Sequence, residues 1–237
     1  MQPLFNFHGN AILSVLAFLG TAALLGAAGV AFVILLLRRS SFAARRVLLA
    51  GGAVAAAYLA ALTGFSLASR ERVVEPGNAK YFCEIDCHLA YSVLGARREA
   101  ALGAARPSRG AWEVVTLRVW FDPGTTSSRR GGSPLTPNPR DVRLVDAEGN
   151  RYAPSEEGLR ALEASAGRQT PLAAPLRPGE SYTTTLVFDV PPGVRSPGLL
   201  VTEADPVTRL LIGHERSLLH AKTVFRLRDA PLAGVRS

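Results

Sequence analysis

The hydrophobic positions of this chain fall into two regimes. From Ala11 to Leu37 there is no charged side chain, and Val47 to Ala68 repeats the pattern. A helix needs about 20 apolar residues to cross a bilayer, so both stretches predict spanning helices. Neither carries the polar stripe of a helix on the surface of a soluble bundle. The second is rich in Gly and Ala, which lets helices approach closely in lipid. The first does not read as a cleaved signal peptide. No Lys or Arg precedes Arg38, and the run exceeds the roughly 7–15 apolar residues of such a peptide.

After "SRERVVEPGNAK" the period changes from helical to alternating. In "EVVTLRVWF", Val115, Leu117, Val119 and Phe121 share one face of a strand, opposite a mixed face of Val114, Thr116, Arg118 and Trp120. "DVRLVDAEGNRYAP" predicts a hairpin with its turn at Asp146–Gly149 and its return through Tyr152. In "RPGESYTTTLVFDVPPG", Thr184, Leu186, Phe188 and Val190 alternate with Thr183, Thr185, Val187 and Asp189, and the β-branched density favours strand. "GLLVTEAD" and "AKTVFRLRD" add two strands, and "YFCEIDCHLAYSVLGARRE" holds at least one. Short strands punctuated by Pro and Gly predict an antiparallel sandwich. Val115, Leu117, Val119, Leu186 and Phe188 are its expected core. "SEEGLRALEAS" is the one helical candidate, with Ser155 as N-cap. "SSRRGGSPLTPNP" is a loop, because its prolines forbid a central strand.

Charge orients this plan. "RRSSFAARR" carries four arginines between the two apolar stretches, whereas the first ten residues carry none. Positive residues stay on the cytoplasmic side. Residues 38–46 are therefore expected inside, and the N-terminus (1–10) and everything after Ala68 outside, in a periplasm-like compartment where disulfides persist. The expected organisation is helix 11–37, loop 38–46, helix 47–68, linker 69–80, sandwich 81–228 and tail 229–237. The net charge of +8 does not indicate nucleic acid. Four of those charges are the loop arginines, and the 23 basic and 19 acidic residues beyond them leave only +4. They form no basic stripe with interleaved aromatics.

The order of "EVVTLRVWFD", "LTPNPRDVRLVDAEGNRYAP", "LRPGESYTTTLVFDVPPG" and "LLVTEADPVTRLLIGHE" resembles the immunoprotective-extracellular, immunoglobulin-like family. The shared features are a strand, a D-x-x-G-x-x-Y hairpin, a P-G-E turn and a V-F-x-V-P strand, over roughly residues 85–228. The resemblance implies an exported immunoglobulin-like sandwich and no common catalytic residues.

Both cysteines stand in "CEIDCH", as Cys83 and Cys87, with His88 adjacent. Three readings stand. The first is a local disulfide, for which the segment has to turn, since extended residues four apart are about 13 Å from each other and a bridge needs Cα atoms within about 7 Å. The second is covalent c-type haem, whose C-x-x-C-H anchor is met here with one extra residue; His214 or His220 would supply the second axial ligand, because Met1 is the sole methionine. The third is copper or another thiophilic metal on Cys83, Cys87, His88 and one of His214 and His220. Cytochrome oxidase subunit II is similar in plan, but its cysteine loop comes late in its domain. No G-x-S-x-G elbow or H-E-x-x-H motif occurs, and His214 and Glu215 are expected at a loop rim. The sequence thus predicts a non-enzymatic, membrane-anchored binding or accessory module whose partners are the bilayer and another membrane or periplasmic protein, without resident cofactor; an electron-transfer protein is the alternative.

Overall fold

The computed structural model describes residues 4–6, 11–84, 87–127, 129–195, 197–227 and 232–233. It divides into two units. One joins Phe7–Arg70 to Asp205–Ala221, and the other joins Met1–Asn6, Glu71–Ala204 and Lys222–Ser237.

The helical unit is built on α1 (Ala11–Leu37) and α2 (Ser41–Leu67), both long and apolar enough to cross a membrane, with mean hydropathies of 2.3 and 1.8. No side chain of α1 is buried, and α2 buries only Ala44, Leu62 and Ser66. Helix α2 begins at Ser41, earlier than the apolar pattern alone suggested. The turn is confined to Arg38–Ser40, with Arg39 in the left-handed region, and Arg45 and Arg46 lie within the first turns of α2. A Cβ on Gly51 would already touch Ala28 at 3.7 Å and Leu25 at 3.9 Å, so α1 and α2 meet through small residues.

The β unit comprises two sheets. The first has the order β1 (Leu4–Phe5), β3 (Ala79–Glu84), β4 (Cys87–Glu99), β5 (Ala111–Asp122), β8 (Ser181–Val190), and β11 (Leu232–Ala233) pairs with the far end of β4. The second has the order β2 (Arg72–Val74), β10 (Thr223–Arg226), β9 (Gly198–Glu203), β6 (Arg140–Val145), β7 (Arg151–Tyr152). Pairing is antiparallel except for β1 with β3, β2 with β10 and β11 with β4. The expected linker 69–80 is largely structured, since β2 and the start of β3 fall inside it. The stretch 81–228 is not a continuous sandwich either, because Asp205–Ala221 belongs to the helical unit.

One core is shared by both sheets. Val115, Leu117, Val119 and Phe121 of β5 meet Val142 and Leu144 of β6 and Leu199 and Val201 of β9, together with Phe188 of β8 and Phe225 of β10. Leu186 is partly buried against this cluster. The mixed face of β5 has its own cover. Trp112 and Val114 pack with Val187 and Leu162 under α3 (Glu156–Ala166). Ser155 caps α3 by accepting from Gly158 N at 3.1 Å, and Glu156 and Glu157 lie favourably in its first turn. Inside the core, the ammonium of fully buried Lys80 donates to Val201 O at 2.6 Å and sits 4.7 Å from the Phe82 ring centre. Arg140 stacks on the same ring at 4.3 Å. These contacts replace the water a buried cation loses.

Candidate functional site

"CEIDCH" is the joint of a hairpin between β3 and β4, with residues 85–86 outside the described set. The register pairs Cys83 with His88 and Glu84 with Cys87, and His88 with Asp122 of β5. Directly opposed residues in antiparallel strands face the same side. Cys83, His88 and Asp122 thus form one row across three strands. Phe82, Leu89 and Phe121, their chain neighbours, point into the core, so the row lies on the outer face. The register gives the expected Cys83–Cys87 bridge no support, because the partner of Cys83 across the ladder is His88; the side chain of Cys87 lies outside the described residues.

Neighbouring groups fix this face. The Tyr81 ring meets the His88 ring edge-on, 6.4 Å between centres, and its hydroxyl bonds to Asp122. His88 N donates to Thr125 Oγ1 at 2.9 Å, and Thr125 Oγ1 donates to Asp122 O at 2.9 Å. Burial lowers His88 below its ordinary value, and the opposing pull of the Asp122 carboxylate is the weaker, so the ring is neutral at pH 7. Burial pushes Tyr81 up, and the charge and hydrogen bond of Asp122 add to that. Buried Asn6 clamps the edge. It donates through Nδ2 to Glu203 at 2.7 Å and accepts from Cys83 N at 3.3 Å. The result is a neutral imidazole between a cysteine and a carboxylate on a partly covered surface.

His214 and His220 lie in the helical unit, whereas Cys83, Cys87 and His88 lie in the β unit. Among the described residues no group of three or more His, Cys, Asp and Glu side chains is arranged to hold a metal ion. His214, Glu215, Ser217 and His220 are buried, not placed at a rim. Arg216 N donates to His214 Nδ1 at 3.0 Å, which makes Nδ1 the acceptor of that ring. His220 Nδ1 lies 2.6 Å from Ala221 O, a pure acceptor, so this ring carries its proton on Nδ1. The Ser217 hydroxyl donates to Leu211 O. Sequence reading missed this cluster, although it left a signal. The connection from Glu203 to Thr223 is far longer than the roughly 2–6 residues usual between elements, and "VTRLLIGHERSLLH" is too apolar for a solvated loop.

A groove of about 750 Å³ opens on the five-stranded sheet between Val73, Val145, Asp146, Val224 and Arg226. Asp146 anchors its turn. Burial pushes its carboxyl up, but hydrogen bonds from the Asn150 side chain, the Tyr152 hydroxyl and the backbone N–H groups of Asn150 and Glu148 prevail and hold it below its ordinary value.

No family model matches the chain, and no curated protein matches it. Among solved structures, the chain is similar to MPT63, a secreted protein of Mycobacterium tuberculosis, at 15% identity and a TM-score of 0.42, over 67% of this chain and 99% of that one. It is also similar to a conserved hypothetical protein of Bacillus anthracis, at 16% identity and a TM-score of 0.34, over 52% of this chain and 85% of that one. At these scores neither likeness bears on what the chain binds or does.

Proposed function

We propose that the chain is a membrane-anchored module whose β unit, an immunoglobulin-like sandwich, stands outside the cytoplasm and binds another membrane or envelope protein without catalysing a reaction. The observation that carries this reading is the bareness of α1 and α2. Their apolar side chains face outward along their whole length, with Leu24 62% and Leu59 52% exposed. In water this surface would cost about 25 cal/mol per Å²; in lipid it costs nothing. Arg38, Arg39, Arg45 and Arg46 cluster where the two helices join, which favours that end as cytoplasmic. The groove beside Val73 and Val224 is the concave surface offered to a partner.

Two measurements test the reading. A reporter that works only outside the cytoplasm, fused after Ser237, is expected to be active, and the same reporter inserted at Phe42–Ala44 silent; the reverse pattern overturns the topology. Metal analysis and an absorption spectrum of the purified full chain are expected to be blank. Stoichiometric haem or copper would replace the binding role with electron transfer at Cys83, Cys87 and His88.

A further inference from the structure

The segment Asp205–Ala221 connects two adjacent strands of a β sheet, yet it is held by the membrane-type helices. Hydrogen bonds fasten it. Ser14 Oγ of α1 donates to Ile212 O at 2.6 Å, the Tyr58 hydroxyl of α2 donates to Leu210 O at 2.6 Å, and Ala221 N donates to Ser69 Oγ at 2.8 Å.

The depth of these contacts follows from the helix. Charge on α2 ends at Arg46, so its apolar run starts at Val47. About 20 residues of hydrocarbon depth then end near Ser66. Tyr58 lies eight residues before Ser66, about 12 Å below that boundary at 1.5 Å per residue. A tyrosine side chain is too short to lift its partner out of that layer. The Leu210 peptide is therefore at acyl-chain depth, where no water can satisfy a bare carbonyl. Irregular backbone at such depth survives only when the protein supplies the missing donors, and Ser14 and Tyr58 supply them. Leu218 N donates to Arg209 O at 3.3 Å, which puts the Leu218–Leu219 turn beside Leu210.

The outward side chains of the segment fit the same place. Leu219 is 71% exposed and Leu218 49%, with Val207 and Leu210 also exposed. Asp205 and Arg209 are exposed too, and an arginine can carry its charge toward the headgroups on its apolar stem. The polar residues His214, Glu215, Ser217 and His220 are turned inward. That is the reverse of a loop in water and matches a loop in lipid.

We propose that Asp205–Ala221 is immersed in one leaflet, with Leu210, Leu218 and Leu219 among the acyl chains, as a third lipid-contacting element beside α1 and α2. The proposal rests on the reading of α1 and α2 as membrane spans. The unaltered full chain in phosphatidylcholine vesicles tests both, using a phospholipid with a diazirine on its acyl chain and, separately, a water-soluble diazirine. Trypsin releases Ser217–Lys222 between Arg216 and Lys222, Val47–Arg70 from α2, and Leu144–Arg151 from the sandwich turn. The expected result is that the lipid reagent labels Ser217–Lys222 within a few-fold of Val47–Arg70, while the aqueous reagent labels Leu144–Arg151 alone. Labelling of Ser217–Lys222 by the aqueous reagent, or by neither reagent, with Val47–Arg70 still lipid-labelled, overturns the immersed segment and leaves the spanning helices standing. Loss of lipid label from Val47–Arg70 itself overturns the spanning reading first.

Discussion

Cys83 lies directly across the ladder from His88, and His88 directly across from Asp122. The placement makes the imidazole the centre of its row, and its protonation responds to burial and to Asp122.

His88 is expected to titrate below its ordinary pKa of about 6.5, because burial outweighs Asp122. Asp122→Asn removes an influence that raises it, so the pKa falls further. NMR titration of the ring protons checks this; a rise in the variant would contradict the assigned causes. Linkage fixes the sign for stability. The unfolded chain takes up this proton at a higher pH than the folded one, so stability falls as pH drops through about 6.5. His88→Gln is expected to flatten that slope in denaturant titrations between pH 7 and 5.

Asp146 acts lower on the pH scale. Its folded pKa is depressed, so its contribution is present above the ordinary carboxylate value of about 3.9 and is lost as pH falls through the folded value. Asp146→Asn is expected to lower stability at neutral pH and to reduce the further loss between pH 4 and 2. Equal acid sensitivity in the two proteins would refute it.

Phe188 is fully buried between the sheets, whereas Leu186 is only partly covered. Phe188→Ala is expected to cost about 3–5 kcal/mol, and Leu186→Ala clearly less. Chemical denaturation of the full chain in detergent, followed by near-UV circular dichroism, distinguishes the two.

Gly158 sets two effects against each other. Alanine in a helix gains roughly 1 kcal/mol over glycine. Its Cβ, however, would stand 2.5 Å from Val187 Cγ1 and 3.0 Å from the Trp112 ring, both in a packed cluster. Overpacking costs about 1–3 kcal/mol, so Gly158→Ala is expected to destabilise. A stabilised variant would mean that α3 slides freely on the sheet.

Much of this architecture is written locally. The apolar run of α1 needs no distant partner to be recognised, nor does the capped start of α3 at Ser155. The hairpin at Asp146–Gly149 is equally local, with Gly149 at φ 85° and the Asp146 carboxylate gathering its neighbours' donors. What stayed hidden is non-local. Leu4–Phe5 is too short to announce a strand, and it becomes one only beside Lys80 and Tyr81. The outer face holding Cys83, His88 and Asp122 exists only once three strands are in register. His214 and Glu215 look like loop polar residues until their segment is assigned to the helices, because no periodicity marks backbone held by hydroxyls from far along the chain.

The distance in sequence between Tyr58 and Leu210 has a consequence for biosynthesis. Chains emerge from the ribosome N-terminus first, so α1 and α2 are made long before Leu210 and Ile212. The hydroxyls of Ser14 and Tyr58 must wait for their final acceptors. On the reading of α1 and α2 as membrane spans, their hairpin enters the bilayer early with both groups provisionally satisfied, and Asp205–Ala221 then closes over it. Assembly of the helical unit is thereby tied to synthesis of Asp205–Ala221. A nascent chain stalled before Asp205 would carry the α1–α2 hairpin without the carbonyls that accept from Ser14 and Tyr58 in the finished protein.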